Sequence, residues 1–305
     1  LKAWILKDIG QFEYCETITQ PLDPDEVRIK VKACGICGSD IPRVYENGAH
    51  KMPLIIGHEF AGEIIETGSN VPSDVLGVRA GIFPLIPCGK CTMCANKKYE
   101  MCTSYNYLGS RTDGGFAEEV NVPYRNIIAL PDNVTYEQAA MLEPMAVAVH
   151  AMRQVEINAD DRVVVCGMGT IGTLLAMFLR ERGIKNIITL GSKDSLDILK
   201  DGVDVFFECV GKNETINEAI DYVNGGGCIV MVGNPHSDIT MEQNTYWKIL
   251  RRQLTIKGTW NSSFLGTNDK DSANDDWHYV IDRLSKGDLH PEEIITHRFP
   301  LDKID

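Results

Sequence analysis

The sequence predicts an α/β protein in two parts, a β-rich N-terminal domain followed by a doubly wound parallel sheet, and three observations carry that expectation. Up to about Pro144, short apolar runs such as residues 27–33 and 63–66 alternate with Gly, Pro and Asp. That is the texture of antiparallel strands joined by many loops. From Val147 the pattern changes to strand-then-helix units, as a parallel sheet requires. A glycine-rich turn, Gly167-Met-Gly169-Thr-Ile-Gly172, joins the first of these strands to its helix.

At 305 residues, 44% of them hydrophobic, the chain can fill two cores. Forty-three acidic against 30 basic residues give a net charge of −13. Such a field repels nucleic acid and anionic membranes, so neither is an expected partner. No apolar run approaches the roughly 18 residues of a membrane span, and residues 1–8 are too short and charged for a signal peptide, so a cytoplasmic protein is expected. Ten cysteines would suggest disulfides in a small secreted chain. Here four are bunched at metal-ligand spacing and the rest lie scattered through apolar segments, which fits reduced thiols.

The expected division is a first domain over residues 1–146, a second over 147–290, and a return to the first over 291–305. Within the second, residues 162–166 read as a buried strand and 170–182 as a helix with apolar residues at helical spacing. Further buried strands are expected at 186–190, 204–209, 228–232 and 254–258, and a strand-like run stands at 296–299. Only 13 residues separate Leu190 from Asp204, whereas a helix, a strand and a second helix need roughly 30 or more. A stretch near residues 191–195 is therefore expected to be missing, and the strand-like run so close to Asp305 leads to the expectation of a further segment after it.

Cys88, Cys91, Cys94 and Cys102 form C-x2-C-x2-C-x7-C in a loop rich in Gly, Pro and Lys. Four thiolates so close in sequence can close a tetrahedron around a structural Zn²⁺, every position being filled by protein. An iron–sulfur cluster is the rival; its last cysteine gap is usually shorter and followed by Pro. Cys37 in Cys-Gly-Ser-Asp, the pair His58-Glu59, and Glu143 before Pro144 supply a thiolate, an imidazole and carboxylates. That donor set suits a mixed zinc site with room for water or substrate. In the glycine motif, Gly167 makes the tight turn, Gly169 admits a pyrophosphate and Gly172 lets helix and strand approach, with Thr170 and Ile171 opening the helix whose N-terminus faces the phosphates. An acidic residue about 20 positions on would grip the ribose of NAD. Here Gly191 or Ser192 stands there; Ser192 with Lys193 suits the 2′-phosphate of NADP, and Asp194 argues for NAD.

Gly57-His58-Glu59-Phe60-Ala61-Gly62, continued by Gly68 and Val71, resembles the zinc signature of the medium-chain alcohol dehydrogenase superfamily. Cys34-Gly-Ile-Cys37-Gly-Ser-Asp40 resembles its first ligand loop, the cysteine lobe follows in place, and Gly109-Ser-Arg-Thr-Asp-Gly-Gly-Phe-Ala-Glu118 extends the match. Ile41-Pro-Arg-Val-Tyr-Glu-Asn-Gly-Ala-His50 looks like the polyol and polyol-phosphate branch. The resemblance implies a GroES-like catalytic domain beside a Rossmann domain, the active site in the cleft between them, and a homodimer or homotetramer. It also implies that Cys37, His58 and Glu143 bind the catalytic zinc, with Glu59 a fourth ligand or a swinging carboxylate beside it. Ser39 would take the proton of the alcohol, and His50 is the candidate for passing it to solvent. Two zinc ions per chain and NAD, with NADP the alternative, are the implied cofactors.

The implied reaction is oxidation of a secondary alcohol of a polyol or polyol phosphate, with hydride passing to the nicotinamide. A phosphate needs a fixed cation, for which Arg43 and Arg111 are the candidates. Trp260 and Asn261 are candidates for the pocket wall. A sorbitol or L-iditol 2-dehydrogenase and a threonine or butanediol dehydrogenase remain open. So does a zinc-ribbon interaction module with a non-catalytic nucleotide fold, which would need only the four-thiolate metal.

Overall fold

A computed structural model describes residues 1–235, 237–267 and 269–304; Asp305, the last residue of the expected return segment, lies outside them. Contacts divide the chain into two units, Leu1–Glu143 with Ser263–Asp305, and Pro144–Ser262.

The first unit is built on a five-stranded antiparallel sheet in the order Ile127–Ala129, Arg79–Ile82, Glu59–Thr67, Glu26–Gly35, Glu119–Pro123. Val27, Ile29, Phe60, Ile64, Ile82 and Val122 close on one core. A second, three-stranded sheet sets Lys2–Asp8 between Gln11–Glu16 and Leu54–Ile55. The short pair Leu85–Ile86 and Asn106–Tyr107 brackets the cysteine lobe.

The second unit holds five parallel strands in the order Ile187–Leu190, Val163–Cys166, Val203–Glu208, Val223–Met231, Thr255–Gly258. All four residues of the Val163–Cys166 strand are buried. Uninterrupted burial is what a strand covered on both faces demands, and it is why this run reads as continuous valine rather than as an alternation. The helix Thr170–Glu181 follows directly and buries Leu174, Leu175, Phe178 and Leu179.

Two expectations are corrected. Residues 191–202 make the whole connection between the Ile187–Leu190 and Val203–Glu208 strands, with only a 3-10 turn, Leu196–Leu199, on the way. About a dozen residues are enough for a parallel crossover, and no gap is needed. Leu199 plugs the core at 0% exposure, and Arg162 clamps the arrival by donating to the Gly202 carbonyl at 2.6 Å. The usual helix–strand–helix excursion is left out, and among the described residues the sheet has no strand beyond Ile187–Leu190. The strand-like run 296–299 forms no strand.

The return to the first unit begins at Ser263 rather than at about Pro291. The physical reason is aromatic: Phe264 and Trp277, each 1% exposed, pack against Phe83 at 5.0 and 5.4 Å between ring centroids. Asp276 adds hydrogen bonds from the Ser263 N–H and hydroxyl at 2.8 and 2.9 Å. The helix Asp276–Lys286 therefore belongs to the first unit.

Candidate active site

Cys37, His58 and Glu59 reach one place because two neighbouring antiparallel strands end there. Gly35 stands opposite Glu59 and Cys34 opposite Phe60, so the loop carrying Cys37 leaves one strand beside the point where the His58-Glu59 pair enters the other. Gly35 makes room for the carboxylate: a Cβ there would run into Glu59 Oε2. One donor atom from each of the three residues lies within 4.8 Å of the others. His58 is 6% and Glu59 8% exposed. Sulfur, nitrogen and oxygen at that spacing suit zinc, whose bonds to them run about 2.0–2.3 Å.

Asp40 organises the group from behind. It is 2% exposed, and it accepts the Cys37 N–H at 3.0 Å and the Arg43 guanidinium at 2.5 Å. Its Oδ1 also stands 3.6 Å from His58 Nδ1, beyond hydrogen-bond range but close enough to orient the ring. His58 Nδ1 has no hydrogen-bond partner; with that nitrogen turned to Asp40, Nε2 is the one left for a metal. Ser39 donates its hydroxyl to Cys37 Sγ at 3.3 Å.

Glu143 lies in the first turn of the helix Leu142–Met152. It is outside the mutually close trio and accepts the Tyr107 hydroxyl at 2.9 Å. Glu59 thus stands among the donors, and Glu143 is near enough for its charge to act on Cys37, His58 and Glu59. Burial pushes Glu59 up to about 7, with the charge of Glu143 adding to it. Burial also raises Cys37 and Glu143. For His58, burial works downward, but Asp40, Cys37 and Glu143 outweigh it and hold the imidazole well above its ordinary value. Acids crowded until burial keeps their protons on are what a divalent ion reverses, so the residues fit the metal.

The second cluster is Cys88, Cys91, Cys94 and Cys102, again within 4.8 Å of one another. The N–H groups of Cys94 and Thr103 bring Cys91 down to about 5, while burial pushes Cys94 up to about 12. Such uneven sharing of charge among four thiols ends when one dication binds all of them. Lys97 ties this lobe to Asp269 at 2.7 Å and Asp271 at 3.2 Å.

In the second unit, Gly167 turns at φ 101° and donates its N–H to the Leu190 carbonyl at 2.8 Å. A Cβ on Gly172 would strike the Gly167 carbonyl, whereas one on Gly169 would meet nothing within 4 Å. Gly169 caps the helix that Thr170 and Ile171 open, so free N–H groups face open space there. Ser192 is exposed in a turn closed by Asp194, whose carboxylate accepts the Gly191 N–H at 2.7 Å.

The other predicted residues are placed as follows. Arg43 is engaged by Asp40. Arg111 stacks on Tyr105 at 4.3 Å and donates to the Tyr105 carbonyl at 2.9 Å. Trp260 is 54% exposed and Asn261 has a positive φ of 53°. His50 is exposed. Sequence reasoning quoted Asp40 without giving it a role, although its place three residues after Cys37 is a signal of sorts. Tyr107 has none, because only folding brings it to Glu143.

The alcohol dehydrogenase GroES-like domain matches residues 23–132 and the zinc-binding dehydrogenase domain residues 178–286. Galactitol 1-phosphate 5-dehydrogenase of Escherichia coli K12 is 32% identical over 303 residues, covering 90% of this chain and 85% of that protein. L-idonate 5-dehydrogenase of Vitis vinifera is 31% identical over 340 residues, covering 100% of this chain and 89% of that one. This chain is shorter than the 340 positions of the second alignment, in keeping with its abbreviated crossover. A Sinorhizobium meliloti 1021 protein assigned as a zinc-binding dehydrogenase, solved bound to NADP, superposes with a TM-score of 0.88 at 27% identity, covering 99% of this chain and 93% of that one.

Proposed function

The chain belongs to the zinc-containing medium-chain alcohol dehydrogenase superfamily, in its polyol dehydrogenase branch, with zinc and a nicotinamide dinucleotide as cofactors, and from that premise we propose that it oxidises a secondary hydroxyl of a polyol or polyol phosphate. The observation that carries this is the trio of half-buried Cys37 with buried His58 and Glu59, its donor atoms within 4.8 Å. In the proposal these residues and Glu143 hold the catalytic ion, and Cys88, Cys91, Cys94 and Cys102 a structural one. A bound divalent ion supplies Lewis acidity that makes an alcohol proton easier to remove.

The chain's own groups do the rest. Ser39, hydrogen-bonded to Cys37 Sγ, receives the alcohol proton and exposed His50 hands it to solvent. Asp40 and Arg43 keep Cys37 and His58 oriented. Gly167, Gly169, Gly172 and the helix start at Thr170 and Ile171 cradle the pyrophosphate. The Asp194 carboxylate at the tip of the second strand supports NAD over NADP, with Ser192 beside it at the ribose. Among the described residues no helix is long and apolar enough to cross a membrane.

Arg43 and Arg111, the two cations proposed for a substrate phosphate, are held by Asp40 and Tyr105. That favours, as the second reading, an unphosphorylated polyol. Cofactor reduction by purified protein across polyols and their phosphates, with NAD and NADP, tests both. Zinc-dependent turnover that disappears in Cys37→Ser is expected; equal kcat/KM for a polyol and its phosphate removes the phosphate, and no turnover of either class overturns the reading.

A further inference from the structure

Two carboxylates stand at one donor set, buried Glu59 within it and half-buried Glu143 beside it, and Tyr107 touches the second. Its hydroxyl donates to Glu143 Oε1 at 2.9 Å, and its ring lies 5.9 Å from the His58 ring. Tyr107 is itself tightly fixed. Its carbonyl accepts the N–H groups of Ser110, Arg111 and Thr112 at 3.2, 2.9 and 3.1 Å, and its backbone pairs with Leu85. Its ring packs edge-on against Tyr105 at 6.1 Å, which the Arg111 guanidinium clamps at 4.3 Å. A donor held from three sides fixes the oxygen it binds.

We propose that Tyr107 is a positioning residue of the metal centre: it anchors Glu143 through Oε1, presents Oε2 alone toward Cys37, His58 and Glu59, and so sets how tightly the ion is held. The proposal rests on the zinc dehydrogenase reading. A free glutamate side chain must give up rotamer freedom when it binds a metal; one already anchored loses little. Arg111, a candidate above for a substrate phosphate, acts here through Tyr105 to stiffen the anchor.

The experiment uses full-length protein loaded with Co²⁺, whose charge-transfer absorption from one thiolate at the Cys37 site differs from that of four thiolates at the cysteine lobe. Loss of each band is followed in excess chelator. In Tyr107→Phe, release from the Cys37 site should be about tenfold faster or more, in the range found for groups behind metal ligands, with the lobe unchanged. In a Glu143→Ala background, Tyr107→Phe should have no further effect. Unchanged or slower release, acceleration at both sites alike, or an additive effect in the Glu143→Ala background overturns the proposal. A wild-type protein that takes up no ion at Cys37 overturns the proposed function itself, which keeps the two failures distinct.

Discussion

Glu59 is the residue whose chemistry depends most on its surroundings. Burial, then the charge of Glu143, raises it from the usual carboxylate range to about 7. The metal-free native state therefore keeps a proton that the unfolded chain has lost above about pH 4.3. The native form binds more protons between those values, so this group's contribution to stability is present at low pH and is lost as pH rises through 7. Thermal melts of zinc-free protein should show that Glu59→Gln flattens the fall in midpoint between pH 5.5 and 8; an unaltered profile rules the burial argument out. At this scale the sequence was partly readable. The four lobe cysteines stood out by residue type and spacing, whereas Cys37 and His58 were singled out through their resemblance to a zinc signature, because one thiol and one imidazole 21 positions apart carry no spacing signal of their own. Whether Glu59 stands within the donor set was left open, because Glu59 and Glu143 are chemically alike and differ only in the neighbours that folding gives them.

Among the elements, the glycine turn into the Thr170–Glu181 helix separates folding from binding. Gly172 is pressed against the Gly167 carbonyl, and Gly169 faces open space. Gly172→Ala should destabilise the protein and lose cofactor binding together. Gly169→Ala should keep the melting midpoint within a few degrees and weaken NADH binding at least tenfold, as followed by fluorescence titration, because the added methyl stands where the pyrophosphate must pass. Equal binding by Gly169→Ala and wild type would remove this loop from the cofactor site. The turn was legible because only glycine tolerates Gly167's φ of 101°. The 296–299 run misled because among the described residues it pairs with no strand, and a strand exists only through its partner.

For the whole molecule, the parallel sheet ends in the exposed strand Thr255–Gly258. Around it Tyr246, Trp247, Leu250 and Ile256 are 55, 44, 48 and 42% exposed. Unpaired backbone flanked by exposed apolar side chains is a surface proteins usually cover, and it supports the proposed homodimer or homotetramer. Light scattering should give a mass of two or four chains, reduced by Ile256→Lys; a single-chain mass for the wild type contradicts the assembly.

What the sequence determined by itself is whatever rests on local constraint. The cysteine lobe is one such feature, because its ligands are near neighbours along the chain; the glycine turn and the valine-rich strand are others, because φ and two-sided burial restrict residue choice at single positions. Tertiary structure alone decided that the chain returns to its first unit at Ser263, that a 3-10 turn replaces an excursion, and that Tyr107 grips Glu143. Each of these joins residues far apart in sequence, as Phe83 meets Trp277 and Tyr107 meets Glu143, and such contacts leave no periodic mark because their energy depends on a meeting that only the folded backbone creates.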